Sequence, residues 1–120
     1  MLPKEYRLQD YRQIEEVKKQ GKLYQSPLFG FLVDKNQDER KAERFPSRFA
    51  FIVSTKIDKR AVKRNQLKRL YSEAVKSILS EIKKGNNFVF LVKKTSLNQK
   101  FEEIKRQILV SFSQAGLTNS

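Results

Sequence analysis

The run Phe88-Val89-Phe90-Leu91-Val92 carries no polar side chain. It is too short for a buried helix and is rich in β-branched and aromatic residues, so it reads as a strand. A strand that is apolar on both faces must be covered on both, which places it at the centre of a sheet. Two other segments are fitted to be its neighbours. Leu28–Val33 (LFGFLV) follows Pro27 and is also apolar on both faces. Arg48–Ser54 (RFAFIVS) alternates instead: Phe49, Phe51 and Val53 share one face, Ala50, Ile52 and Ser54 the other. The larger set is expected to pack on helices. A short extra strand near Leu23–Ser26 is allowed for.

Helices should supply the cover. From Asp10 to Gln20 the apolar residues Tyr11, Ile14 and Val17 recur at a spacing of three, with Asp10 as N-cap and Gly21 at the end. Between Arg60 and Lys84, residues Leu67, Leu70, Tyr71, Ala74, Ile78 and Ile82 follow the 3.6 period and form one stripe. Gly85-Asn86 is expected to end this helix. A last helix is predicted from Ser96, with Ser96 and Gln99 at capping-box spacing. Its stripe is Phe101, Ile104, Ile108 and Phe112, and Gly116 stops it. The polar stretch Asp34–Arg44 (DKNQDERKAER) reads as a long solvated connection between strands. The predicted fold is therefore α+β: a two-layer sandwich, order α-β-β-(β)-α-β-α, with helices mainly on one face. At 120 residues it is one domain, 1–120, whose core leans on nine Phe residues.

The charge balance points to a partner. Lys plus Arg number 26 against 13 Asp plus Glu, a formal net charge of +13. Self-repulsion of that size opposes folding, and a polyanion is the usual reason for it. Nucleic acid comes before an anionic membrane surface. There is no cysteine, hence no disulfide partner and no thiolate metal site, and there is no histidine to act as general base. The acidic pairs Glu15-Glu16, Asp38-Glu39 and Glu102-Glu103 read as solvated, which disfavours an autonomous metal-dependent nuclease. The N-terminus lacks the apolar core of a signal peptide, and no apolar run approaches the ~20 residues of a membrane span. A soluble, cytoplasmic protein with no membrane partner is expected.

The cations concentrate in Lys56–Arg69 (KIDKRAVKRNQLKR), where seven of 14 residues are basic and only Asp58 is acidic. Cations at a helix start oppose the macrodipole, so fold stability does not ask for them. A phosphate backbone reverses that sign. Asn65 stands among them with an amide that both donates and accepts. On the helix, Asn65, Lys68, Arg69, Ser72 and Lys76 fall together on the side opposite the apolar stripe. A helix read in a DNA major groove would normally follow a short helix. Here a strand precedes it.

The run Ala61-Val62-Lys63-Arg64-Asn65-Gln66-Leu67-Lys68-Arg69 resembles the signature of the protein subunit of bacterial ribonuclease P: an Arg-Asn pair, two spacers, Lys-Arg, then usually Arg-Glu-Ala. The resemblance extends from about Leu2 to Val110. It includes Ser54-Thr55-Lys56 after a strand, Leu8 before a short helix closed by Lys19-Gln20-Gly21-Lys22, and Ser26-Pro27. This chain departs from the pattern at Gln66, where a third basic residue is usual, and at Ser72, where arginine is. Ile14 and Lys18 stand where the family's first helix often presents two Phe residues.

The resemblance implies a ribosomal-protein-like fold with a left-handed βαβ crossover. It implies that the protein binds the ribonuclease P RNA and the 5′ leader of precursor tRNA. It implies that the RNA subunit performs the cleavage with Mg²⁺, the protein itself binding no cofactor. The RNA-binding residues would be Lys56, Lys59, Arg60, Lys63, Arg64, Asn65, Lys68 and Arg69. The leader cleft would be formed by Ile14 and Lys18 with Phe29, Phe31 and Val33. Phe29 and Phe31 are open to a second reading as plain core, since one face of their strand must pack on helices. The rival at the level of function is a ribosomal or other structural RNA-binding protein with no processing role.

Overall fold

The computed structural model describes residues 2–35 and 45–119. Helix α1 spans Tyr11–Gln20, and the Asp10 carboxylate accepts a hydrogen bond from the Arg12 N–H at 2.9 Å, capping it as the sequence predicts. Strand β1 spans Lys22–Gln25, β2 Phe29–Lys35, β3 Arg48–Ile52 and β4 Asn86–Val92. Helix α2 spans Ala61–Ser77 and α3 Phe101–Gln114. The sheet order is β1-β2-β4-β3. β4 is therefore central, paired antiparallel with β2 (Phe31 opposite Phe90) and parallel with β3 (Phe49 opposite Phe88).

The two faces of the sheet are covered differently. Phe29, Phe31, Val33, Phe49, Phe88 and Phe90 point to one side and pack against Tyr71, Ile78, Ile104, Ile108 and Phe112 from α2 and α3 and the segment between. The rings interlock: Phe49 and Phe88 stack at 5.0 Å, Phe88 and Phe112 at 4.9 Å, and Phe29 meets Tyr71 edge-on at 5.8 Å. Each fully buried ring contributes about 1.5–3 kcal/mol by leaving water. The opposite face is smaller. There Leu32, Ala50 and Val89 are covered by Leu8 and by Val17 of α1.

β3, α2 and β4 form a parallel crossover, and one hydrogen bond fixes its hand. The Leu8 N–H donates to the Phe49 carbonyl at 2.9 Å, so that carbonyl points to the outer edge of β3, away from β4. The Phe49 side chain lies on the α2 face. For an L-residue in a strand running upward with its side chain toward the viewer, N–H and C=O both point right. β4 thus lies to the left of β3 as seen from α2, and the crossover is left-handed, against the general rule.

Three expectations need correction. α2 ends at Ser77 rather than running to Lys84, because Ile78 leaves the helical region at φ −123° and ψ 14°. Residues 81–83 are engaged by the C-terminal segment instead: the Lys83 N–H donates to the Leu117 carbonyl and the Asn119 N–H to the Glu81 carbonyl. Ile78 and Ile82 are buried all the same, so the apolar stripe outlasts the helix, and Gly85, at φ 82°, turns the chain into β4. α3 starts at Phe101, not Ser96, because the Ser96 hydroxyl is spent on the Leu28 carbonyl (2.8 Å) and the Tyr71 hydroxyl (2.5 Å). β2 continues through Asp34 and Lys35, which pair with Asn87 and Asn86. The rest of that polar stretch, 36–44, lies outside the described residues.

Candidate nucleic-acid interface

β3 ends at Ile52, and the loop after it carries the chain to the start of α2. This start has no side-chain cap at its N-cap position, Arg60. The cap comes from Asp58. Its Oδ1 accepts from the Arg60 backbone N–H (2.9 Å) and from Nε (3.1 Å), and its Oδ2 from Nη2 (2.9 Å). These hydrogen bonds, the side-chain ones first, hold the Asp58 carboxyl down at about 2, below its ordinary 3.8. The lone acid of the basic run thus builds the loop. Arg64 joins it: its Nη1 donates to the carbonyls of Asp58 (3.0 Å) and Lys59 (2.8 Å).

The remaining cations are free to face a partner. Lys56, Lys59, Lys63, Lys68 and Arg69 are exposed, as is Asn65, and among the described residues none of them forms an ion pair. Asn65, Lys68, Arg69 and Lys76 stand on the solvent side of α2, opposite buried Leu67, Tyr71, Ala74 and Val75. The row is held rigidly because α2 is anchored beneath it by Tyr71, whose buried hydroxyl meets Ser96 and the Leu28 carbonyl. Burial pushes that phenol up to about 12, so it stays protonated and can donate. Because β4 runs parallel to β3, Lys93 and Lys94 emerge at the same end of the sheet as Lys56. Sequence reasoning did not connect these lysines to the basic run, since nothing local signals a parallel pairing. Asp58 was visible as the one acid in the run, but its role as cap was not.

The predicted cleft is divided between two faces. Ile14, like Ile52 and Leu91, packs half-buried against the edge of the smaller core, and Lys18 is exposed on the same helix as Ile14, 3.6 Å from Glu15. Phe29, Phe31 and Val33 lie on the other side of the sheet, with 0%, 0% and 3% of their surface exposed. They are core, not cleft. The strand residues at the edge of the same core as Ile14 are Ile52 and Leu91, both half-buried. Glu16, on the other flank of α1, approaches Asp34, whose carboxyl is raised by burial first and by the Glu16 charge second. Among the described residues, no three acidic side chains converge to hold a metal ion.

The family model for Ribonuclease P matches residues 2–116. The chain belongs to the ribonuclease P protein family. A Synechocystis protein named Ribonuclease P protein component is 32% identical over 97% of this chain and 90% of its own length. A Bacillus cereus protein of the same name is 28% identical over 97% of this chain and 96% of its own. The solved RNase P protein of Thermotoga maritima superposes with a TM-score of 0.73 at 27% identity, covering 87% of this chain and 92% of that one. That of Staphylococcus aureus gives 0.78 at 20% identity, over 95% and 98%, and shares the fold. Within the ribonuclease P signature, the two departures sit apart: Gln66 is exposed on α2, and Ser72 is half-buried.

Proposed function

We propose that this protein binds the ribonuclease P RNA through the start of α2 and assists removal of the 5′ leader from precursor tRNA. The observation that carries this reading is the row of Asn65, Lys68 and Arg69, exposed and, among the described residues, without ion-pair partners, on a helix of this family. Each cation set against a phosphate releases a counterion, and the helix N-terminus adds its own positive end. Asp58 and Arg64 fix the loop, so Lys56, Lys59 and Lys63 meet the backbone from a preset position.

The leader is assigned to the shallow cleft between α1 and the smaller sheet face. Ile14, Ile52 and Leu91 would contact sugars and bases, and Lys18 a phosphate. The hydrolysis is assigned to the RNA subunit, which uses Mg²⁺. This reading gives the protein no Mg²⁺ site of its own; in support, no three acidic side chains gather among the described residues, and the sequence has no histidine or cysteine. No helix among the described residues is long and apolar enough to cross a membrane. A cytoplasmic site of action belongs to this reading.

The deciding experiment is cleavage of a leader-bearing precursor tRNA at low Mg²⁺ by bacterial ribonuclease P RNA alone, by the protein alone and by the two together. Activity in the mixture only is expected. Equal activity with and without the protein, given a matched RNA, would leave a structural RNA binder as the better account.

A further inference from the structure

A groove beside the basic row is not used by the reading above. It lies between the first turns of α2 and the turn that follows β4, and its volume is about 420 Å³. Leu67, Leu70 and Leu97 form its apolar floor, and Gln66, Asn98 and Gln99 stand around it. All three amides are exposed, and none hydrogen-bonds to the protein among the described residues. Lys63 stands on the α2 lip, next to the Asp58–Arg60 pair.

This is an unusual surface for a helix that only grips phosphates. A phosphate needs donors alone, whereas an amide donates and accepts. Three such groups around an apolar floor suit the edge and the face of an unstacked base, which is how unpaired RNA is generally read. The groove is also continuous with the basic row. Gln66 is about 100° around the helix from Asn65, so a backbone tracking Asn65 and Lys68 passes its mouth.

We propose that this groove takes one unpaired nucleotide of the ribonuclease P RNA. The base lies on Leu67, Leu70 and Leu97, its edge meets Gln66, Asn98 and Gln99, and its phosphate meets Lys63. The proposal rests on the assignment of α2 to that RNA. It gives Gln66 a purpose: a third cation there would serve the phosphates, but it could not accept a hydrogen bond from a base.

The test uses the full chain and folded ribonuclease P RNA, with affinity measured across a salt series. Gln66→Ala suits an exposed helical site, where alanine is well tolerated. Asn98→Gly removes the amide and keeps the backbone, since Asn98 sits at φ 67°, a conformation glycine adopts freely. Each variant should bind roughly ten-fold more weakly, as for the loss of a base contact, with the salt slope of wild type. Lys68→Ala should flatten that slope. Binding of precursor tRNA alone should not respond to either amide change. Unchanged affinity for the ribonuclease P RNA in both amide variants, with normal thermal unfolding, overturns the proposal. So does a loss accompanied by a flatter slope, which would make the amides phosphate contacts, or a loss confined to precursor tRNA. A wild-type protein that fails to bind the ribonuclease P RNA overturns the parent reading instead, and that result is distinct from all of these.

Discussion

Asp58 is a carboxylate within a run of seven cations, and it is spent on the chain's own backbone. Its depressed pKa sets the sign of a pH effect. The contribution is fully present above the ordinary 3.8 and is lost as pH falls through about 2. The Asp58 carboxyl resonance should therefore titrate near pH 2, with the Arg60 amide losing protection over the same range. A midpoint at the ordinary value would mean that the Arg60 contacts do not persist in solution. Arg64 and Lys68 should also part company. Lys68 is exposed and makes no ion pair among the described residues, so Lys68→Ala should lower the log–log salt slope of RNA binding by about one unit and leave folding unchanged. Arg64 holds two loop carbonyls, so Arg64→Ala should in addition speed amide exchange in residues 58–60. Similar exchange in both variants would reduce Arg64 to a surface charge.

At the scale of elements, three segments meet at one polar knot. The Ser96 hydroxyl and the Tyr71 hydroxyl bond each other and the Leu28 carbonyl, tying the turn before β2 to α2 and to the turn before α3. Both side chains are fully buried. Ser96→Ala leaves Leu28 with the Lys93 N–H as a partner, but it takes the phenol's short contact and leaves it only the long 3.4 Å bond to the Leu28 carbonyl. It should cost about 1–3 kcal/mol in urea unfolding. Tyr71→Phe should cost less, about 0.5–1.5 kcal/mol, because Ser96 keeps its own acceptor. The reverse order would mean that the phenol, not the serine, organises the turn. The knot also explains a misread boundary. Ser96 and Gln99 have the spacing of a helix cap, but a buried hydroxyl goes to the strongest acceptor within reach, and that acceptor lies 68 positions away in sequence.

At the scale of the molecule, the sheet separates stability from recognition. Phe31→Ala should cost about 3–5 kcal/mol and unfold much of the population, because its ring is wholly enclosed between β4 and α3. Ile52→Ala and Leu91→Ala lie at the edge of the smaller core, so they should weaken precursor binding by the holoenzyme more than they lower the unfolding midpoint. Equal stability losses in all three would return the cleft to plain core. Element types, the central place of β4, the α1 cap and the exposed row from Asn65 to Arg69 were legible in the sequence. Each follows from period, capping chemistry or charge within about twenty residues. Composition and periodicity left the rest open. Alternation along β2 groups Phe29, Phe31 and Val33, but it does not say which helix covers them, since the strand is apolar on both sides. The end of α2 depends on residues 117–119 pairing with 81–83. The motif's resemblance alone implied a left-handed crossover; its direct physical reading depends on which edge of β3 the segment around Leu8 occupies. Local periodicity fixes which residues share a face. Only packing between distant segments decides what that face meets.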